Sequence, residues 1–350
     1  MSSSILDNYL CNDVHAEIYA DIDRFMDMGG EKCDLGRYSD GTTLLMETNV
    51  HKDDKRGYLA KSDNDDEEVI ITVTGVLMET NLPPYMDIAS LYRTRPNKKD
   101  VPVNRVSIGW FGHGNFESNR LALEHVRNNF QRKFASVVDN QFLVKAGVPM
   151  ISLENRIVSK VDDVPLDVLD ATLNKAYDPR DIIRKNLLDS GKHRFVDDNT
   201  LAFYKLVTKD GDDMQTEPCA PEEFKIGMIV CVRATPTLVP STKGGHKLIL
   251  KLRSLLLVDD KIYKKFLFAQ SLNDVESVPK PGSGLKRSAC DNDWLNPKRR
   301  AMDMGDAQIR EKRHNGQGKK RVAGDESLVE KMQGLETSDT QKEGQASSSS

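Results

Sequence analysis

Lysine and arginine side chains recur along one predicted β-hairpin of the 350-residue chain, over residues 224–258. Lys and Arg neutralise phosphates and release their counterions, so a row of them on one surface favours binding of a polyanion. A predicted helix over residues 116–138 has a second cationic face. The hairpin cations, which are our candidate nucleic-acid contacts, are Lys225, Arg233, Lys243, Lys247, Lys251 and Arg253, and those of the helix are Arg120, Arg127, Arg132 and Lys133.

Two further basic clusters lie near the carboxyl end of the chain. Lys286 and Arg287 are followed by a spacer of ten residues and then by Lys298, Arg299 and Arg300. Two clusters at this spacing resemble a bipartite nuclear-import signal, which an import receptor binds as extended backbone. We therefore expect a nuclear protein with an import receptor among its partners.

Charge is distributed unevenly along the chain. Residues 280–321 carry twelve Lys/Arg and five Asp/Glu, a local charge of +7, and residues 322–350 carry two and six, a local charge of −4. Since the whole chain has a formal charge of −4, residues 1–279 carry −7. An acidic body is a poor general binder of polyanions, so any nucleic-acid contact must come from a local patch or from the tail.

The sequence has no recognisable catalytic or metal-binding signature. Its seven histidines are dispersed, and none of its five cysteines forms a CxxC pair. HExxH and GxSxG motifs are absent from the sequence, and so are the ligand spacings of a zinc site. We therefore expect no enzymatic activity, no metal and no cofactor, although separated carboxylates leave a divergent nuclease open. The longest apolar runs fall short of the roughly 20 residues that span a bilayer, so we expect no membrane partner.

Apolar spacing predicts the elements that would position these side chains. Helices are predicted over residues 5–28, 116–138, 166–176 and 179–188, where apolar residues recur every three or four positions. Strands are predicted over residues 69–78 and 101–111, which are rich in β-branched residues or alternate between two faces.

The hairpin over residues 224–258 has the clearest pattern. Apolar residues recur there at every second position, which puts them on one face of each strand, before and after the Gly244-Gly245 turn. They are Phe224, Ile226, Met228, Val230 and Val232 in the first strand and Leu248, Leu250 and Leu252 in the second. These two strings resemble the long hairpin strands of an OB-type barrel, and they also resemble a segment of uncharacterised proteins from mushroom-forming fungi. The resemblance covers about 35 residues and implies a small β-barrel or curved sheet that could bind nucleic acid.

The predicted fold class is α+β, a curved antiparallel sheet or partial OB-like β-barrel with a helical insertion and a disordered tail. We place an N-terminal helical segment at residues 1–45 and an α+β body at residues 46–272. The body contains the helical insertion at about 116–190 and the OB-like strands at about 200–258. Residues 273–350, poor in aromatics, form the predicted disordered tail, with a basic block before an acidic one.

The sequence is compatible with two functions. The first is a non-enzymatic nuclear protein that binds single- or double-stranded nucleic acid, or a chromatin-associated partner, through the basic hairpin. The alternative is a protein-interaction or scaffold module of viral or mobile-element origin, whose hairpin pairs with a strand of its partner without contacting nucleic acid. The sequence leaves the oligomeric state open.

Overall fold

The computed structural model describes residues 12–28, 33–53, 56–94, 101–139, 141–208, 214–241 and 244–277, which fall within one compact unit. Lys243 and the basic clusters at residues 286–287 and 298–300 lie outside these described residues, as does the predicted tail from residue 278 onward. The division of the chain into three parts therefore stays a prediction.

The described residues form helices and strands with the following bounds. The helices are α1 (Asn12–Asp27), α2 (Thr42–Glu47), α3 (Ile88–Leu91), α4 (Asn115–Gln131) and α5 (Lys261–Ser277). The strands are β1 (Thr48–Asp53), β2 (Arg56–Lys61), β3 (Asn64–Glu68), β4 (Ile71–Asn81), β5 (Val103–Gly109), β6 (Val137–Asp139), β7 (Phe142–Lys145), β8 (Val148–Arg156), β9 (Ser159–Lys160), β10 (His193–Arg194), β11 (Ala202–Thr208), β12 (Met214–Pro218), β13 (Ile229–Pro240) and β14 (His246–Asp259). Short 3₁₀ turns and one π-helical turn, Arg184–Leu188, lie between them.

Five of these strands close a barrel. β4 pairs with β5, β5 with β8, β14 with β13, and β13 closes the circuit on β4, all antiparallel, whereas β8 and β14 are parallel. In chain order the five barrel strands are β4, β5, β8, β13 and β14. Around the barrel they follow one another as first, second, third, fifth and fourth, which is the Greek-key connectivity of the OB fold. The predicted α+β class is confirmed, and the barrel is closed rather than partial because β8 supplies its third strand.

Alternating apolar residues fill the inside of the barrel. Val106 and Ile108 on β5 and Leu248, Leu250 and Leu252 on β14 are fully buried, as period-two alternation requires. Trp110, at the end of β5, is also fully buried, and its indole Nε1 donates a hydrogen bond to the Thr74 carbonyl at 2.7 Å. A Cβ at Gly75 would lie 2.8 Å from the Ile108 side chain, so glycine is required where these strands approach closely.

Two helices pack on the barrel as amphipathic elements. α1 buries Ile18 and Ile22, as the predicted stripe requires, and α4 buries Leu123, Val126 and Phe130. The predicted helix over residues 116–138 ends at Gln131, and β6 follows it.

Of the other two predicted helices of the 116–190 insertion, one is wrong and the other is shorter than predicted. Residues 166–176 form turns and irregular structure instead of a helix. The helix predicted over 179–188 begins only at Ile182 and continues as the π-helical turn to Leu188. Leu166 and Leu169 are 101% and 83% exposed, so a helix there would have no apolar surface to pack against.

Strands outside the circuit widen the sheet on both sides. β2 pairs with β13 and carries β1 and β3, while β11 pairs with β14 and carries β12. A second, smaller core joins the 82–94 connection to residues 157–195 through Tyr85, Leu91 and Ile183, among others. None of the helices in the described ranges is long and apolar enough to cross a membrane.

Candidate nucleic-acid interface

A cavity of about 360 Å³ opens on the outer face of the barrel, beside the amino-terminal half of β14. We call this cavity the groove. It lies at the end of the connection between the first and second barrel strands and beside the hairpin between the fourth and fifth. OB barrels bind oligonucleotides or oligosaccharides with these loops and with the face of their second and third strands. The groove is lined by Arg56, Val101, Val103, Glu154, Asn155, Arg156, Ser159, Lys160, Asp198, Asn199, Thr237, Val239, Pro240, Ser241, Lys247, Ile249 and Lys251.

Cationic side chains outnumber carboxylates in the groove. Its five cations come from β2, β8, β9 and β14, and its two carboxylates are Glu154 and Asp198, which leaves a formal charge of +3. Residues 1–279 as a whole carry −7, so the groove is a local positive patch on an acidic body. Such a patch attracts anionic ligands that the rest of the surface repels.

Three of the groove cations are weakly engaged elsewhere. Lys160 is exposed and makes no ion pair with any residue in the described ranges. Arg156 Nη1 donates to Asp163 Oδ2 at 2.8 Å, in a pair whose two side chains are each more than a third exposed. Arg56 Nη2 donates to the Asp163 carbonyl at 3.3 Å. Exposed pairs of this kind contribute little to stability, so a phosphate can replace them as the partner.

Glu154 organises the floor of the groove. Its side chain is only 7% exposed, and it accepts hydrogen bonds from Arg105 Nη2 at 2.5 Å and from Lys247 Nζ at 3.0 Å. Arg105 lies on β5 and Lys247 on β14, so one carboxylate fixes cations from two strands. This contact holds the Lys247 ammonium at the groove wall.

Asp198, in the 3₁₀ turn Asp197–Asn199, binds the next two cations of β14. Lys251 and Arg253 both donate to its carboxylate, and Arg253 also pairs with Glu68 of β3. Burial by itself would raise the pKa of Asp198, but the two adjacent cations outweigh it and hold that pKa below its usual value. The Lys251 ammonium is more deeply buried, and this burial lowers the pKa of Lys251. Lys251 and Arg253 are therefore already ion-paired with carboxylates of the protein itself.

The structure brings some of the predicted contact residues together and separates others. Lys247 and Lys251 line the groove, and Arg253 follows them on β14. Arg233 is exposed on β13 opposite Thr72, and Lys225 is exposed before β13 begins, but neither lines the groove. The predicted cations of α4 also lie elsewhere. Arg120 binds Glu117 and Glu124 on its own helix.

Sequence reasoning missed Arg56, Arg156 and Lys160. They lie on or next to strands that the apolar pattern did not reveal. The sequence carries one weak signal at the end of β8. The charged residues Glu154 and Arg156 are two positions apart, which puts them on the same face of a strand. Among the described residues, no group of three or more His, Cys, Asp or Glu side chains is placed to hold a metal ion.

Comparison with known proteins gives little further information. No family model and no curated protein matches the chain, so the resemblance to fungal proteins is unsupported. Among solved structures, gp2.5, a single-stranded DNA binding protein encoded by bacteriophage T7, matches over 54% of this chain and 91% of its own, with 13% identity and a TM-score of 0.25. A superposition this loose bears on neither function nor site, and the OB assignment rests on the strand order.

Proposed function

We propose that this chain binds single-stranded nucleic acid in the groove of its OB barrel and has no catalytic activity of its own. The observation that carries the proposal is the formal charge of +3 at the loops where OB barrels bind their ligands, on a body that is otherwise acidic. OB barrels also bind oligosaccharides, but an excess of Lys and Arg favours a polymer that carries phosphates.

The size of the groove supports a single strand as the ligand. A cavity of about 360 Å³ is at the small end of ligand pockets and suits one or two nucleotides. The second core supports this region through Val101, which packs against that core and lines the groove. The nucleotides of an unpaired strand can enter such a site. The bases of a duplex are stacked on and paired with one another, so they are not available to it.

The contacts divide between phosphate binding and support of the groove. Arg56, Arg156, Lys160 and Lys247 are the proposed phosphate contacts. Lys251 and Arg253 hold the Asp198 turn against β14, and this turn forms part of the groove wall. Lys225, Arg233 and Lys243 stay predicted as outer contacts on the same hairpin.

The salt dependence of binding tests this proposal. For the full chain and an oligodeoxythymidine of about 15 nucleotides, we expect log K to fall against log salt with a slope of about −3, because four phosphate contacts each contribute about −0.7. Fluorescence anisotropy between low and moderate salt measures this slope. We also expect weaker binding to a duplex of the same length.

A control variant for this titration replaces Lys264 and Lys265 by alanine. Both lysines are exposed on α5, beyond the carboxyl end of β14 and far along that strand from the groove. This variant should retain the slope of the wild-type chain. Absence of binding at low salt, or a slope near zero, would contradict the proposal.

The structure does not favour the alternative in which the hairpin adds to a partner's strand. Within the described residues, β13 is paired with β14 on one side and with β4 and β2 on the other. β14 is paired with β13 and, on its other side, with β6, β8 and β11. Most of the hairpin therefore lies inside the sheet, which leaves only short stretches of edge to which a partner strand could add.

We further propose that the protein works in the nucleus, delivered by an import receptor that binds the two basic clusters. Replacing Lys286, Arg287, Lys298, Arg299 and Arg300 by alanine should move a fluorescent fusion of the full chain from the nucleus to the cytoplasm. Fluorescence microscopy of eukaryotic cells measures the ratio of nuclear to cytoplasmic fluorescence. A matched variant with Lys331→Ala and Lys342→Ala should stay nuclear, and equal distributions of all three proteins would refute the import proposal.

A further inference from the structure

The face that carries the groove continues beyond the barrel onto β2 and β1. Thr237 on β13 pairs with Ile249 on β14 and with Tyr58 on β2, and Tyr58 pairs in turn with His51 on β1. Directly paired residues present their side chains on the same face of a sheet. Thr237 and Ile249 both line the groove, so Tyr58 and His51 extend that face by about 10 Å, the width of two strand spacings.

Alternation along β2 supports the same orientation for Tyr58. Arg56 lines the groove, and Tyr58 lies two residues further along the strand, on the same face. Their neighbours face the core instead, because Leu59 is fully buried and a Cβ at Gly57 would lie 2.6 Å from the Phe134 ring. β2 therefore carries a cation and an aromatic ring side by side along the groove face.

Tyr58 and His51 form a stacked pair. Their ring centroids are 4.9 Å apart, with an angle of 29° between the ring planes, and both side chains are half-buried. Proteins that bind single strands combine cations that follow the backbone with aromatic rings on which bases stack. Phe203 and Phe224, which lie close to the hairpin in the sequence, do not fill this role because both are buried in the core.

We propose that Tyr58, backed by His51, is a base-stacking platform that extends the groove beyond the barrel, while Arg56 neutralises the adjacent phosphate. This inference rests on the proposed function and makes it more specific, since it assigns a contact to the base as well as to the backbone. It also requires a single strand, because the bases of a duplex stack on one another and present no free face.

The test compares three variants of the full chain, Tyr58→Ala, Tyr58→Leu and Tyr58→Phe, on two oligonucleotides. One is an oligodeoxythymidine of about 15 nucleotides, and the other has the same length and phosphates but no bases. We expect the alanine and leucine variants to bind oligodeoxythymidine about 10-fold more weakly, and the phenylalanine variant to bind within about 2-fold of wild type. All four proteins should bind the abasic strand equally.

The outcomes separate stacking from a merely structural role of Tyr58. Tyr204→Ala, a half-buried tyrosine on β11, is the matched control and should leave both affinities unchanged. Equal binding of the leucine and phenylalanine variants would overturn the inference, even if the alanine variant failed to fold. If the Tyr58 variants lost the same affinity for the abasic strand as for the oligodeoxythymidine, the inference would be overturned as well. If the wild-type chain bound neither strand at low salt, the proposed function itself would fall.

Discussion

Replacing Arg56, Arg156 and Lys160 together by glutamate should weaken binding of single-stranded nucleic acid by about 100-fold or more. The three changes turn the formal charge of the groove from +3 to −3. Each lost contact between a cation and a phosphate costs at least about 1 kcal/mol, and the introduced carboxylates add repulsion. The slope of log K against log salt should also become shallower by about 2, since three contacts of about 0.7 each are removed.

The fold should survive this triple change. Lys160 makes no ion pair with a described residue, and the pair between Arg156 and Asp163 is exposed and contributes at most about 1 kcal/mol. Arg56 donates a hydrogen bond to the backbone carbonyl of Asp163, which is not an ion pair. Thermal unfolding of the variant should therefore resemble that of the wild-type chain, so that anisotropy titrations report on binding alone.

A charge-matched control decides whether the groove or the net charge is responsible. Lys261, Lys264 and Lys265 lie on α5, and each is more than half exposed. Replacing these three by glutamate changes the net charge of the chain by the same amount but leaves the groove intact. An equal loss of affinity in this control would show that binding depends on overall charge, which contradicts a groove-centred site.

The sequence predicts those parts of the fold in which an apolar residue recurs at every second position. The 229–259 hairpin shows this pattern, and the strand over residues 71–81 is marked by its β-branched residues. β8 escaped prediction because Lys145, Gly147 and Pro149 interrupt the pattern around its start, and because buried Ser152 and Glu154 resemble surface residues in the sequence. Their burial depends on partners that only the closed barrel brings close.

The candidate site was harder to predict than the fold for the same physical reason. Lys251 and Arg253 resemble free cations in the sequence, but Asp198, more than fifty residues earlier, binds both of them. Conversely, the cations of the groove come from separate segments that barrel closure and the flanking β2 bring together. Among the contacts predicted from the sequence, Lys247 is the one that the proposal retains as a phosphate contact in the groove.

Replacing Glu154 by alanine should have opposite effects on stability and binding. The change leaves Arg105 and Lys247 without their shared, nearly buried carboxylate, and breaking such a pair from one side costs about 3–5 kcal/mol. Urea denaturation should report this loss of unfolding free energy. The groove, however, gains one unit of positive charge, so the folded variant should bind an oligodeoxythymidine several-fold more tightly at low salt.

The partly exposed carboxylate Glu79 provides the matched control for Glu154. It lies on β4, pairs with Lys145 at 2.8 Å, and accepts a hydrogen bond from Ser107 at 3.3 Å. The ion pair is more than a third exposed and contributes at most about 1 kcal/mol, and loss of the long hydrogen bond from buried Ser107 adds about 1 kcal/mol. Glu79→Ala should therefore cost about 1–2 kcal/mol, less than Glu154→Ala, and leave binding unchanged. If Glu154→Ala were as mild as the control, the Glu154 pairs would be well solvated. If Glu154→Ala weakened binding in the folded protein, fixing Lys247 would matter more for phosphate binding than the added charge, because a positioned ammonium loses less freedom when the ligand arrives.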